Sequence, residues 1–386
     1  MLIMIQVDDS LKKIISEKLP DLLNVFKSNK ANNEALGIDI GSSAIKVVQL
    51  KKKGGKAILE TYGIIALGPY ANMDIGSATA LDTENLSHAL LDVIKESNIT
   101  TKFTTISVPS LSSLIFTISL PNTVDENNLS TIVPMEARKY IPVPINEVTL
   151  DWSIIPQEVE FVEDNDDIGI QPKDSKTIEV LVIAIHNETI SQYQELIKKT
   201  SLNCESFEME IFSTIRSSFS NEVAPVMLID FGASKTKVSI IEAGIVRAFH
   251  VVNRGSQDIT RNISQSLSIP FPEAEKKKRT VGLRANVDPK IEAISRMSVN
   301  YIFSDINSIV FSYEKKYNKN IGKIFLSGGG SLLDGFLEAA KENFKAEVNY
   351  VNPFSKVEAP AFLTPVLESS GPEFATSVGL ALRQLS

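Results

Sequence analysis

The stretch LGIDIGSSAIKVVQL, from Leu36 to Leu50, decides the fold of this chain because a later stretch repeats its plan. That second stretch is MLIDFGASKTKVSII, from Met227 to Ile241. In each, an apolar run predicts a buried strand that ends in an aspartate, a glycine follows, and a second strand returns. Two copies of one hairpin predict a protein of two related halves.

A third segment, rich in glycine, belongs to the same pattern. IFLSGGGSLLDGF, from Ile324 to Phe336, is typical of a strand that passes through three glycines into the start of a helix. Hairpins of this kind aim backbone N–H groups at an anion, and an aspartate at the strand end can hold a hydrated cation. Together the three segments predict a nucleoside triphosphate held between the two halves.

Composition is that of an ordinary globular protein. The chain has 386 residues, more than one hydrophobic core usually supports, so two or more domains are expected. The formal net charge of -8 argues against a nucleic acid partner, which needs a clustered basic surface. Cys204 is the only cysteine, which favours a cytosolic protein without disulfides. No signal peptide and no apolar run of membrane-spanning length is evident, so we expect no direct transmembrane span.

Apolar periodicity predicts the elements outside the hairpins. Residues 1–34 are predicted to form an amphipathic N-terminal arm and a linker, with the apolar face of the arm docked on a partner or on this protein. A helix capped by Thr83 is predicted at Thr83–Ser97, and a last helix at Pro372–Leu385. The acidic segment Glu163–Lys176 is predicted to be a solvated loop, with a metal site as the alternative.

The two hairpins supply the predicted phosphate site, because glycine lets a backbone approach closely and hydroxyl groups add donors. The candidate residues, hairpin by hairpin, are Gly41, Ser42, Ser43 and Lys46, then Gly232, Ala233, Ser234 and Thr236. Asp39 and Asp230 are predicted to hold Mg²⁺ through its water molecules. For either hairpin alone, the alternative is a buried strand followed by an ordinary turn, and the pairing of two copies argues against it.

The base and the ribose have their own candidates. A flat adenine could lie against a backbone without side chains, and the residues concerned are Gly328, Gly329 and Gly330. Glu275, Lys278 and Arg279 lie three and four residues apart on a predicted helix, a spacing suited to ribose hydroxyls and an adenine face. A helix entry turn and a solvated helix face are the respective alternatives. The chain contains no P-loop motif.

These motifs in this order resemble the superfamily of actin, heat-shock chaperones and sugar kinases. Within it, EARKYIPVPINEVTLDWSII (Glu136 to Ile155) and LSGGGSLLDGF (Leu326 to Phe336) resemble the PilM family of type IV pilus assembly proteins, relatives of the division protein FtsA. The resemblance covers about Leu22 to Ser386. It implies an α/β, actin-like fold of two related lobes with mixed sheets, and an FtsA-like 1C insertion.

The same resemblance implies how the chain divides. Subdomain 1A would comprise residues 35–109 and 201–222, the 1C insertion 110–200, subdomain 2A 223–256 and 318–386, and subdomain 2B 257–317. Glu210 falls where relatives place a carboxylate that orients water, and Ala375–Gly379 falls at the second connection between the lobes. The sequence departs from the family at Arg254–Gly255, where two glycines are usual, and at Lys235.

In function, the resemblance implies ATP with Mg²⁺ in the cleft of a cytoplasmic scaffold, peripheral to the inner membrane through a partner. That partner is expected to be the N-terminal cytoplasmic tail of a PilN-like inner-membrane protein, bound in a groove between 1A and the insertion. Other pilus platform and motor proteins, and self-association, are further expectations. At most slow ATP hydrolysis is expected, because no arginine finger is identifiable. The alternatives are an FtsA-like membrane-associated filament protein and a metabolite kinase of the same superfamily.

Overall fold

A computed structural model describes residues 33–125, 128–155, 159–164, 167–172, 177–219 and 222–385. The predicted N-terminal arm lies outside the described residues. The chain divides into two compact units, one containing residues 111–190 and a larger one containing residues 33–110 and 191–385. Both hairpins lie in the larger unit, which itself has two lobes.

The first lobe is built on one mixed sheet. Its strands are β1 (Glu34–Ile40), β2 (Ala44–Lys53), β3 (Lys56–Ala66), β4 (Phe103–Val108) and β10 (Asn203–Met209). They lie in the order β10-β4-β1-β2-β3: β1, β2 and β3 form an antiparallel meander, and β4 and β10 continue the sheet parallel to β1. Helices α1 (Thr83–Glu96) and α3 (Asn187–Thr200) contribute Leu90 and Leu196 to the core on one face of this sheet.

The second lobe repeats this plan. Its strands are β11 (Val226–Phe231), β12 (Thr236–Glu242), β13 (Ile245–Val252), β14 (Lys323–Ser327) and β15 (Glu347–Tyr350). The order β13-β12-β11-β14-β15 is again an antiparallel meander extended by two parallel strands. The lobe also contains α5 (Ser256–Leu267), α6 (Phe271–Val281), α7 (Pro289–Tyr317) and α8 (Phe336–Asn343). The predicted relationship between the two halves is therefore confirmed at the level of topology.

Two helices join the lobes. Helix α4 (Glu210–Ser218) leads from β10 to the second lobe, and α9 (Thr364–Leu385) returns from the second lobe to the first sheet. On that sheet α9 buries Phe374 and Val378 against Val48 and its neighbours, on the face opposite to α1. Apolar burial of this kind is the main stabilising contribution to a helix on a sheet.

The smaller unit has its own core. Its strands β5 (Ser113–Pro121), β6 (Val148–Ile155) and β9 (Thr177–His186) form an antiparallel sheet in the order β5-β9-β6, and α2 (Leu129–Ala137) contributes to the same core. Strands β7 (Val159–Asp164) and β8 (Asp167–Pro172) pair with each other. The prediction of a loop over Glu163–Lys176 was wrong, because β8 lies within it; isoleucines in that segment alternate with small and polar residues as in a strand.

Two helix boundaries also differ from the prediction. Asp82, not Thr83, caps α1, since its Oδ1 accepts a hydrogen bond from Asn85 N at 2.8 Å. Helix α9 begins at Thr364, so Pro372 lies inside it. Proline has no backbone N–H, so inside a helix it cannot donate a hydrogen bond to the carbonyl four residues earlier. The carbonyl oxygen of Pro372 accepts a hydrogen bond from Gly328 N at 2.9 Å, which ties α9 to the glycine segment.

Candidate functional site

The two hairpins make the same turn. Gly41 N donates to Ala44 O at 3.0 Å in the first, and Gly232 N donates to Lys235 O at 3.1 Å in the second. Each turn therefore has four residues between the last paired residues of its two strands, and in both hairpins the next pair is an aspartate opposite a lysine. The sequence repeat produces a repeat of backbone geometry.

The tips of the hairpins meet. The Ser234 hydroxyl donates to the Ser42 hydroxyl oxygen at 3.1 Å, across the space between the lobes that we call the cleft. In the part of the chain that the structure describes, the backbone N–H groups at the two tips donate to no other backbone group; they belong to Ser42, Ser43, Ala233 and Ser234. Neighbouring backbone N–H groups without a backbone acceptor can form an anion-binding site.

Asp39 is the penultimate residue of β1 and is almost fully buried, with 7% of its surface exposed. Its Oδ1 accepts a hydrogen bond from Ser107 Oγ at 3.0 Å, and its Oδ2 lies 3.7 Å from Lys46 Nζ. Asp39 and Lys46 face each other across the hairpin register. Both carboxylate oxygens of Asp39 thus have partners from the protein.

Asp230 occupies the equivalent position in the second hairpin, and Lys237 faces it in the same register. The Lys237 ammonium lies 3.1 Å from Asp230 Oδ2 and also forms an ion pair with Glu210, the first residue of α4. The sequence analysis missed Lys237. Aligning the two hairpins residue by residue would have found it, because Lys46 and Lys237 hold equivalent places.

At Glu210 and Lys237, burial and the charge of the partner side chain shift the pKa in opposite directions. Burial raises the pKa of Glu210, the Lys237 ammonium opposes that rise, and the carboxylates of Asp39 and Asp230 add to it. Burial would lower the pKa of Lys237, but Asp230 and Glu210 outweigh it, and the pKa of the ammonium is raised. Lys237 is therefore a fixed positive charge between two carboxylates.

This arrangement does not fit the predicted magnesium site. A hydrated Mg²⁺ needs oxygen ligands that are free to face its water shell, whereas Asp39 is held by Ser107 and Lys46, and Asp230 by Lys237. Among the described residues, no group of three or more histidine, cysteine, aspartate or glutamate side chains is arranged to hold a metal ion.

The hydroxyl of Thr236, a predicted phosphate ligand, is hydrogen-bonded within the protein. Thr236 is fully buried, and its hydroxyl donates to the Arg254 carbonyl at 2.8 Å. Next to it, a Cβ built on Gly255 would lie 2.4 Å from the carbonyl oxygen of Ala233. The backbone at Gly255 therefore packs closely against the second hairpin, at the place where this sequence has one glycine instead of the family's usual two.

The three glycines differ in what surrounds them. Gly328 has φ +85, and a Cβ on it would lie 2.4 Å from Asp230 Oδ1; a Cβ on Gly330 would lie 2.6 Å from Phe231 O. At Gly329 the nearest atom to such a Cβ is Glu373 Oε2, at 3.3 Å. Packing against the second hairpin thus requires two of these glycines, whereas Gly329 faces only the end of a flexible side chain.

The predicted ribose residues form a buried cluster on α6. Glu275 Oε2 accepts from Thr260 Oγ1 at 2.6 Å and lies 2.7 Å from Lys278 Nζ, and its Oε1 accepts from Arg279 Nε at 2.7 Å. Burial would raise the pKa of Glu275, but its cationic partners outweigh burial, and this pKa is lowered. Burial lowers the pKa of Lys278, with Glu275 opposing it. The side chain of Arg279 is 62% exposed.

A loop of the first lobe reaches this cluster. Gly76, with φ +92, lies so close that a Cβ would be 2.8 Å from the Glu275 carboxyl carbon. Two residues on, Ala78 N donates to Gln257 Oε1 at 3.1 Å, and Thr79 N donates to Ser42 O at 2.8 Å. The loop therefore connects the first hairpin with α5 and α6 of the second lobe.

Glu373 is a further cleft residue that the sequence analysis missed. It follows Pro372 in α9, and its carboxylate lies beside Gly329. Burial raises its pKa, while the charges of Lys46 and Arg279 act in the opposite sense. Glu373 is therefore a partly buried carboxylate beside the three glycines, and nothing in the local sequence marks it.

Two lobes of repeated topology with glycine hairpins facing a cleft define an actin-like protein, and the solved structures below have the same fold. A family model described as "Type IV pilus assembly protein PilM" matches residues 37–385, and the chain belongs to that family. Both the predicted fold and the predicted family are confirmed. No helix among the described residues has the length and apolar character needed to cross a membrane.

Three known proteins illustrate the similarity. The cell division protein FtsA of Borreliella burgdorferi is 24% identical, over 91% of this chain and 91% of its own. A chain in the structure of a PilM–PilN type IV pilus biogenesis complex is 22% identical, with a TM-score of 0.75 over 92% of this chain and 100% of that one. The ethanolamine utilization protein EutJ of Carboxydothermus hydrogenoformans is 14% identical, with a TM-score of 0.51 over 97% of this chain and 99% of its own.

Proposed function

We propose that this chain is an ATP-binding scaffold of the type IV pilus assembly platform, located in the cytoplasm at the inner membrane. The observation that carries the nucleotide proposal is the meeting of the hairpin tips, with Ser234 Oγ 3.1 Å from Ser42 Oγ. The two tips carry four backbone N–H groups that donate to no other backbone group, and two serine hydroxyls, a donor set that suits a triphosphate.

The base side of the cleft supports ATP over a simple polyphosphate. Beside Gly329, the nearest obstacle is the end of the Glu373 side chain, which can rotate away. The side chain of Arg279 is 62% exposed, and a guanidinium of this kind can stack on the face of a base. A base stacked there would leave the triphosphate directed towards the two hairpins.

We expect ATP hydrolysis to be slow. Glu210, in the place that relatives use to orient water, is bound to Lys237. A carboxylate oxygen that is held by an ammonium group is not free to position the attacking water. Nucleotide would therefore act chiefly as a structural ligand that holds the lobes together.

As partner we propose the N-terminal cytoplasmic tail of a PilN-like inner-membrane protein. The support is membership of the PilM family and similarity to a PilM that was solved together with PilN. The unit of residues 111–190 also carries exposed apolar side chains of its own: Tyr140 is 52% exposed and stacks on Phe116 at 5.1 Å, and Met135 is 61% exposed. Exposed aromatic side chains are common anchors for peptides. Other platform and motor proteins and self-association belong to the same proposal.

Fluorescence anisotropy of a labelled tail peptide tests this proposal. Replacing Tyr140 and Met135 together by alanine should weaken binding at least tenfold, about 1.4 kcal/mol. Phe362→Ala is the matched control, because Phe362 is 78% exposed in the larger unit. Equal affinities for all three proteins would remove the 111–190 unit as the binding surface, and no binding to the unaltered chain would overturn the partner.

A further inference from the structure

The contact of Lys237 with two carboxylates has a consequence for cation binding. Its ammonium bridges Asp230 Oδ2, at 3.1 Å, and Glu210, so it joins the second hairpin to α4. The Glu210 side chain is 9% exposed, and that of Lys237 is 19% exposed. A single positive charge, largely shielded from solvent, thus lies among the carboxylates at the phosphate side of the cleft.

The remaining charges also make this region unfavourable for binding a metal ion. Asp39, the third carboxylate, is paired with Lys46 at 3.7 Å. A divalent cation that approached the two aspartates would meet two fixed ammonium groups, and like charges repel strongly where water is excluded. Each hairpin therefore brings its own cation, opposite its own aspartate.

We propose that the Lys237 ammonium takes the place of a divalent cation in this cleft, so that nucleotide binds without one. This inference rests on the ATP binding proposed above. Lysine is charged at neutral pH and donates up to three hydrogen bonds, so it can hold both carboxylates and still face a phosphate oxygen. The structure assigns to this one residue the charge that a metal ion would otherwise supply.

The first test needs no nucleotide. Binding of Mn²⁺ to the purified chain is followed by electron paramagnetic resonance, and the unaltered protein is compared with Lys237→Ser. Removal of the ammonium frees Glu210 and Asp230, so the variant should bind Mn²⁺ at least tenfold more tightly. Lys341→Ser, at an exposed lysine on α8, should behave like the unaltered protein. Equal Mn²⁺ affinity in all three proteins would overturn the proposal.

The second test uses the unaltered chain, because Lys237→Ser leaves two partly buried carboxylates without a cation and can lose its fold. Calorimetric titration with ATP is done once with excess Mg²⁺ and once with EDTA. The two dissociation constants should agree within about threefold, and a loss of tenfold or more in EDTA would overturn the proposal. If ATP binds under neither condition, the proposed function fails, and the Mn²⁺ comparison still decides the role of Lys237.

Discussion

Gly379 of α9 lies against the backbone of Ser213 of α4: a Cβ built on Gly379 would be 1.8 Å from Ser213 O. The two helices that join the lobes therefore cross in direct backbone contact. Hydrogen bonds fix the crossing on both sides, from Ser217 Oγ to Ala375 O at 2.7 Å and from Arg216 Nη1 to Gly379 O at 3.3 Å. A rotation of one lobe relative to the other must therefore shift or deform the contact between these two helices.

Gly379→Ala should destabilise the protein by about 1–3 kcal/mol or more, because the added methyl group forces the two helices apart. Urea denaturation measures the loss. Gly322→Ala is the control, since nothing lies within 4 Å of a Cβ at Gly322. Equal stability of the two variants would mean that the crossing adapts without cost.

A buried ion network beside the crossing gives a second prediction. The Glu208 side chain is fully buried and binds Arg216 through two hydrogen bonds, of 2.6 and 2.7 Å, and Arg383 lies 3.3 Å away. Glu208→Gln leaves these cations without a counter-charge, and a loss of about 3–5 kcal/mol is expected in urea denaturation. The control is Glu338→Gln, at an exposed position, which should change the free energy of unfolding little. An equally small change in Glu208→Gln would mean that Glu208 is not the stabilising counter-charge of Arg216 and Arg383.

Glu373 predicts a dependence of stability on pH. Burial raises its pKa above that of an exposed glutamate, so the folded protein holds this proton more tightly than the unfolded chain. The contribution of Glu373 to the free energy of unfolding is complete at pH values below its pKa in the unfolded chain. That contribution is lost as the pH rises through its pKa in the folded protein. Glu373→Gln should therefore be more stable than the unaltered protein at pH 7.5 and no more stable at pH 4. Thermal denaturation at both pH values, with the exposed Glu368→Gln as control, checks the sign.

Gly329→Leu should reduce ATP affinity at least tenfold, about 1.4 kcal/mol, without loss of the fold, because its side chain enters the space proposed for the base. Gly328→Ala should instead destabilise the fold, since that residue has φ +85 and packs against Asp230. Calorimetry reports the first effect and circular dichroism the second. Normal ATP binding by Gly329→Leu would show that the base lies elsewhere.

The sequence alone predicted the hairpins and the repeated lobes, because strand, turn and strand are encoded within fifteen neighbouring residues. It did not predict the partners of those residues. Lys237 lies beside Asp230 through local register, but its contact with Glu210 depends on how α4 meets β12. Glu373 reaches the cleft only because α9 returns from the end of the chain.

The predicted starts of two helices were wrong because neighbouring residues decided where each helix begins. Thr83 was predicted as the cap of α1, but the carboxylate of Asp82 caps the helix. Pro372 suggested the start of the last helix, since proline favours a first turn, yet the helix begins at Thr364 because earlier apolar residues such as Leu367 are buried against the first sheet. Tertiary packing decided both the boundary and the length.

The measurement that tests the central claim most directly is the rate at which an added oxidant, diamide, forms a disulfide between the hairpin tips. The protein for this purpose carries Ser42→Cys and Ser234→Cys, with Cys204→Ser to remove the native thiol. The two hydroxyl oxygens are 3.1 Å apart, so small side-chain rotations can bring sulfur atoms at these positions to the bond length of about 2.0 Å in a disulfide. We predict rapid cross-linking without nucleotide and cross-linking at least tenfold slower with saturating ATP, because the triphosphate separates the tips. An unchanged rate with ATP bound would contradict the placement of the phosphates between the hairpins.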